Sequence, residues 1–300
     1  MSSAERKADL RSLAFSLDER DRAILQGLLE HKVLTTRNLK SLFFASLRRC
    51  QDQLSELKSM ELVGSFQPPE GFGRGRSSEH HFLTGVGLSV LAYLERVPRG
   101  QLPWVPDKDY RSNRNLRHRI GLNDFFCSLV ETSRNHPDQG LHRWLPERKV
   151  RTRAGEIQPD GFGRYLHPGG ACEFYLEYDR GTEGPAAVSE KLRGYRRFAA
   201  GWGDAPGFPN VLVLVPDTAR EEKISALARP RRGGRGGKKP ALPVFLSSEE
   251  LIAARGVLGS VWAAAGTSER LSLAELPAKD GSPYDVRHCL GRGWTGGDGR

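Results

Sequence analysis

Phe174-Tyr175-Leu176-Glu177-Tyr178-Asp179 is the stretch of this chain with the plainest capacity for chemistry. Its aromatic, β-prone residues predict a strand, and strand side chains alternate between faces, so Glu177 and Asp179 project to the same side. Upstream, Pro159-Asp160-Gly161 lies near the start of a second short strand, 157–165, and a hairpin through His167-Pro168-Gly169-Gly170 lays it antiparallel against the first. That pairing brings Asp160 towards Glu177 and Asp179. After Arg180-Gly181-Thr182-Glu183 the spacing predicts an amphipathic helix over 186–200. Val188, Leu192, Tyr195 and Ala199 form its apolar stripe, with Lys191, Arg193, Arg196 and Arg197 around it.

Clustered carboxylates repel unless a cation or a proton sits among them. Hard oxygen ligands on a divalent cation are the usual way an enzyme holds a phosphodiester for attack by water. The competing reading is structural: an Asp between Pro and Gly commonly makes a β-turn, and Glu-x-Asp-Arg can be a surface ion-pair patch worth little.

The rest of the chain must position these groups. Its 300 residues suggest two domains of ordinary size. Lys and Arg number 46 against 36 Asp and Glu, and the net charge of +10 favours polyanionic partners, nucleic acid before an anionic membrane surface. No apolar run approaches the length of a membrane span, and the N-terminal MSSAERKADLRS lacks the apolar core of a signal peptide. The expectation is a cytoplasmic protein, associated with nucleoid or plasmid and without a membrane partner. Cys50, Cys127, Cys172 and Cys289 are scattered without a CxxC pair, and no cysteine lies near His80-His81, which argues against a disulfide framework or a zinc site. No GxxxxGK followed by Ser or Thr is present, so neither a nucleotide nor an organic cofactor is expected.

Residues 1–16 are polar and carry no predicted element. Asp18 caps a helix to about Lys32, a second starts at Thr35-Thr36, and a third starts near Ser46 with Leu47, Cys50, Leu54 and Leu57 at helical spacing. Arg48, Arg49, Gln51 and Gln53 are left on its outer side. Leu62–Phe66 and His80–Leu83 read as paired strands around a basic Gly/Pro turn holding Arg74 and Arg76, and Thr84 caps a further helix. Three helices, a hairpin and a helix is the order of a winged helix-turn-helix domain, here 17–96. In such a domain the third helix enters the major groove, and the wing arginines reach phosphate or the minor groove.

Residues 97–113 are a proline-bearing linker. A helix from Arg114, with Arg117 and His118 on its basic side, opens a second domain over 114–265. Asn210–Pro216 is a continuous apolar run that must be buried on both faces, and with the helices around it predicts a mixed α/β sheet. The run RPRRGGRGGKKP over 229–240, with Arg231, Arg232 and Arg235, cannot bury anything and reads as a basic loop for phosphate contact or as a solvated insertion. Residues 266–300 read as a flexible tail.

The pattern Asp160, then Glu177-x-acid on the next strand, then a helix bearing Lys191 resembles the PD-(D/E)xK nuclease-like fold. The chain as a whole resembles bacterial plasmid replication-relaxation proteins. FLTGVGLSVLA, RHRIGLNDFF, WLPE, PDGFGRY and LEYDRGTEG…EKLRGY occur in that family's order across about 17–215. The resemblance implies a winged helix-turn-helix domain followed by a mixed-sheet, restriction-endonuclease-like domain, α+β overall and α/β in its second part. It also implies DNA binding in replication or mobilisation of a plasmid or integrative element. Double-stranded DNA is the implied partner, with replication or transfer proteins and a second copy of the chain as further candidates. Carried over by position, Asp160 and Glu177 would be metal-binding carboxylates for Mg²⁺. Asp179 stands where a lysine is expected, and Lys191 on the following helix is the candidate to replace it. Three readings stay open: DNA binding without catalysis, a Mg²⁺-dependent endonuclease or nickase, and a transcriptional regulator with a sensing second domain.

Overall fold

The computed structural model describes residues 3–68, 78–104, 116–154, 157–201, 208–229 and 242–277. Arg74, Arg76, Arg231, Arg232, Arg235 and Cys289 lie outside them. The chain forms two compact units, one running to Cys127 and the other from Ser128. The division therefore falls within the helix expected to open the second domain, and not at the linker before it.

In the first unit, α1 (Ser3–Ser16) occupies the stretch for which the sequence predicts no element. Ala14 is fully buried, and α1 packs on α5 (Gly85–Glu95), a tertiary gain that composition alone does not reveal. Helix α2 (Glu19–His31) starts on a reciprocal capping box between Asp18 and Asp21. Its Ile24, Leu25 and Leu28 are wholly buried.

Strand β1 (Val33–Thr35) is followed at once by α3 (Thr36–Phe43), capped by Thr35. Ser46 caps α4 (Leu47–Ser59). Strands β2 (Val63–Phe66) and β3 (His80–Leu83) pair antiparallel, and β1 adds to the free side of β3, giving the order β1-β3-β2. Helix α6 (Leu116–Ser133) contributes Leu116 to the Val33, Phe66 and Phe82 cluster. The Asn123 amide donates to the Val33 carbonyl at 2.8 Å. These contacts tie the first turns of α6 to this unit, which is why the helix does not begin the second.

The second unit is built on a seven-stranded sheet in the order β10-β9-β8-β7-β6-β5-β4. The elements are β4 (Gly140–Pro146), α7 (Glu147–Ala154), β5 (Gly161–His167), β6 (Gly170–Tyr178), α8 (Pro185–Ala200), β7 (Asn210–Val215), α9 (Thr218–Ala228), β8 (Val244–Ser248), α10 (Glu249–Arg255), β9 (Trp262–Ala264) and β10 (Arg270–Leu271). β6, β7 and β8 run parallel, and the outer pairings are antiparallel. The fold is thus mixed α+β, with a parallel centre that matches the apolar run of β7, every residue of which is buried.

One face of the sheet, through Tyr175, Val211, Val213, Val244 and Leu246, packs on Val150 of α7, Val188, Leu192 and Tyr195 of α8, and Ile224 of α9. Two parts of this unit depart from the sequence reading. Helix α7 is an element that the sequence reading does not include, seated in the cluster by Val150. Of the stretch expected as a tail, the described residues to 277 instead continue the sheet: β10 pairs with β9, and Leu273 and Leu276 are buried.

Candidate active site

The register of β5 on β6 pairs Gly161 with Leu176, so Asp160 stands one step beyond, opposite Glu177. Residues opposite each other on antiparallel strands share a face. Here it is the face that carries Phe162, Tyr175 and the helices. Where the backbone ladder stops, a side chain takes over: Asp160 Oδ2 accepts the Tyr178 N–H at 2.8 Å. That bond fixes Asp160 at the end of the hairpin.

Glu177 is 4 % exposed. Tyr195 Oη donates to its Oε1 at 2.5 Å, and Lys191 Nζ lies 2.9 Å from its Oε2. Lys191 and Tyr195 are four residues apart on α8, hence on one helical face, which lets a single helix serve both oxygens. Lys191 also reaches Glu183 Oε1 at 3.2 Å.

Burial, helped by the Asp160 charge, pushes the Glu177 carboxyl up to about 7 against the opposing pull of Lys191 and Tyr195. Glu177, Asp160 and Glu183 together hold the Lys191 ammonium well above its ordinary value, although its own burial works the other way. The cluster is therefore short of positive charge. Glu177, Asp179, Glu183, Val188, Lys191, Leu192, Tyr195, Val213 and Ile224 line a cleft at this point.

Asp179 lines the same cleft and is also clamped by Arg220. Its Oδ2 accepts two bonds from the Arg220 guanidinium, at 2.8 and 2.6 Å, and its Oδ1 accepts the Gly181 N–H at 2.7 Å. The turn needs the left-handed backbone of Gly181, φ +77°. Asp217 caps α9 through the Arg220 N–H, and the Arg220 side chain also donates to the Glu183 carbonyl at 2.6 Å. Arg220 thus fastens the loop that presents Glu183 to Lys191. Asp179, expected beside Glu177 as a third acid, lines the cleft with it while both its oxygens are bonded within this clamp.

Asp160 and Glu177 carry oxygen donors of the kind that hard divalent cations take. Among the described residues no three His, Cys, Asp or Glu side chains converge. Mg²⁺, however, is commonly held by one or two carboxylates together with substrate phosphate and water. Asp160 and Glu177 are the two carboxylates of this face that could serve in that way.

The first unit presents the other residues singled out from the sequence. Arg48, Arg49 and Gln51 are exposed on α4, with Arg48 within 3.9 Å of Asp52. Gln53 is turned inward, its amide donating to Asp21 at 2.8 Å and to Glu56 at 3.3 Å. Arg117 is exposed and His118 half-buried on α6. His81 is buried against Thr36, 2.9 Å away, and burial lowers its pKa to about 4. The His80-His81 pair is therefore packing in β3.

Sequence reasoning missed Tyr195, Glu183 and Arg220. Tyr195 sits on the Lys191 face of the helix, a signal that its place in the apolar stripe masks. Arg220 has no local signature beyond following the cap at Asp217, because its partner lies on another strand.

No helix among the described residues is long and apolar enough to cross a membrane. A family model described as replication-relaxation matches residues 25–211. Comparison with curated proteins and with solved structures gives no match.

Proposed function

The chain belongs to the replication-relaxation family, and from that membership we propose that it acts on double-stranded DNA in replication or mobilisation of a plasmid or mobile element. In this reading the first unit is a winged helix that docks on the duplex, and the second is a nuclease-like domain that nicks a strand. One observation carries the reading: Asp160, Glu177 and Lys191, far apart in sequence, meet on one sheet face, with Lys191 Nζ 2.9 Å from Glu177.

Asp160 and Glu177 would hold a Mg²⁺-type cation, which when bound supplies positive charge to the scissile phosphate and acidity to bound water. The protein's own groups do the rest. Lys191 places an ammonium beside Glu177, where it can meet charge developing on a phosphate oxygen or orient the attacking water. Tyr195 holds the Glu177 carboxylate in one orientation. Glu183 gives Lys191 a second anchor, so the ammonium stays in the cleft when Glu177 turns to another partner. Lys191 in this role takes the place of the lysine that Asp179 displaces from the strand.

The test is conversion of supercoiled plasmid to open circles by purified protein with Mg²⁺ or Mn²⁺. Wild type is expected to nick, and Asp160→Ala and Glu177→Ala to stop nicking while binding DNA as before. Duplex binding by wild type without any cleavage would reduce the second unit to a binding scaffold.

For the first unit, Arg48→Ala is expected to weaken duplex affinity and to lower the slope of log affinity against log salt by about 0.9, the value for one phosphate contact. An unchanged slope and affinity would remove α4 from the interface.

A further inference from the structure

Helix α8 carries Lys191 into the cleft on one side and leaves three arginines on the other. Arg193, Arg196 and Arg197 are exposed there, and the one acid of the helix is Glu190. Arg193 and Arg197 share that carboxylate, with all three side chains more than half exposed. Surface pairs of this kind are worth little, so an incoming phosphate can displace the carboxylate. Arg196 donates to the Ala228 carbonyl at 3.2 Å, a bond that satisfies one donor and leaves the charge in place. The helix gains nothing from grouping them: Arg193 stands three residues from Arg196 and four from Arg197, spacings at which like charges repel.

Helix α9 packs beside α8 and continues the same sign. Its Arg220 reaches the Glu183 carbonyl in the loop before α8, and its Leu227 packs on the cluster that holds Leu192 and Tyr195. Lys223, three residues from the first and four from the second, shares their flank and so faces α8. It is exposed, with no acid three or four residues away on its own helix. Of the acids within α9, Glu221 is bonded to Arg270, and Glu222 stands about 100° further round, away from α8. Among the described residues of the two helices, the groove between them thus sets Arg193, Arg196, Arg197 and Lys223 against Glu190 alone.

This groove starts beside the cleft, since Arg197 lies only roughly 9 Å along the α8 axis from Lys191. The acids of the cleft repel a phosphodiester, so a strand brought to them must be held by cations alongside. We propose that the outer groove between α8 and α9 grips the phosphate backbone of duplex DNA through Arg193, Arg196, Arg197 and Lys223. The inference rests on the reading of DNA as the substrate. It assigns to the second unit a binding surface of its own, sequence-independent and salt-sensitive, distinct from the contacts of α4.

The test measures equilibrium binding of full-length protein to a random-sequence duplex by fluorescence anisotropy between about 50 and 200 mM salt, without divalent cations. The quadruple variant Arg193→Gln, Arg196→Gln, Arg197→Gln, Lys223→Gln is expected to lose at least about tenfold in affinity at low salt, and its salt slope should fall by about 2 to 4, roughly 0.9 for each contact removed. Glu190→Gln removes the one competing carboxylate, and it should bind about two- to fivefold tighter, the scale of a single exposed charge pair. That gain is a readout which damage to the fold does not produce. If wild type binds and the quadruple variant matches its affinity and slope, the groove is wrong while the DNA reading stands. If the quadruple variant weakens but Glu190→Gln binds no tighter than wild type, the arginines act through structure and the proposal is overturned. A wild type that fails to bind duplex overturns both.

Discussion

Lys191→Met is expected to cut the rate of plasmid nicking at neutral pH by at least about 100-fold, the scale on which removal of one positioned charge or donor acts on a transition state. Methionine keeps the length and much of the packing, so the loss isolates the ammonium. Lys191 Nζ is 2.9 Å from Glu177 Oε2 and is among the groups that hold down the Glu177 proton affinity. Burial and Asp160 already raise that carboxyl to about 7. The sign follows directly: with the cation gone, only Tyr195 opposes burial, the proton binds more tightly, and the ionised fraction at pH 7 falls. At limiting Mg²⁺, where the metal competes with the proton for Glu177, wild-type nicking should therefore rise as pH passes upward through about 7. The Lys191→Met profile should be displaced to higher pH and stay below wild type at its plateau. The two deficits separate the ammonium's effect on Glu177 from any part it takes with the phosphate. A variant that nicks within a few-fold of wild type with an unmoved pH profile would exclude Lys191 from the site.

How far the sequence anticipates this arrangement depends on the range over which each determinant acts. The β5–β6 hairpin is legible because a Pro-Gly-Gly turn and alternating strands are local signals, and register follows from the turn. Thus Asp160 and Glu177 could be brought together on paper. Asp18, Thr35, Ser46 and Thr84 announce their helices by the same local logic, each accepting a backbone N–H three residues on. The fate of Asp179 was not legible. Strand alternation correctly places it on the Glu177 side, but whether an acid joins a site or a clamp is decided by Arg220, forty-one positions later. Helix α7 and strand β10 were missed for another reason. Each is short, the helix seated by Val150 and the strand held by its pairing with β9, so neither has the periodicity that marks an independent amphipathic element. Helix α1 reads as polar because its partner, α5, lies some seventy residues away. Gln53 looked like a base-reading side chain, and it was claimed by an acid, Asp21, on a neighbouring helix. Local chemistry is visible in sequence; the choice among distant partners is not.

Arg220→Met should lower unfolding free energy by about 3 kcal/mol or more, the cost typical of leaving one member of a buried ion pair alone. Asp179 is 7 % exposed and spends Oδ2 entirely on the guanidinium. Without Arg220 it must either stay charged in a poorly solvated place or take up a proton, and both options disfavour the fold. The change also releases the Glu183 carbonyl, so the loop before α8 loosens and Lys191 loses a fixed second anchor. The double variant Asp179→Asn, Arg220→Met removes the stranded charge, and it should recover part of the loss in urea denaturation. That non-additivity is the signature of a direct pair. The same series decides what Asp179 does. As a clamp, Asp179→Asn lowers stability yet nicks within a few-fold of wild type at temperatures where it remains folded. If instead folded Asp179→Asn loses nicking as completely as Glu177→Ala, then Asp179 acts on the substrate, and its bond to Arg220 is a resting arrangement that substrate breaks.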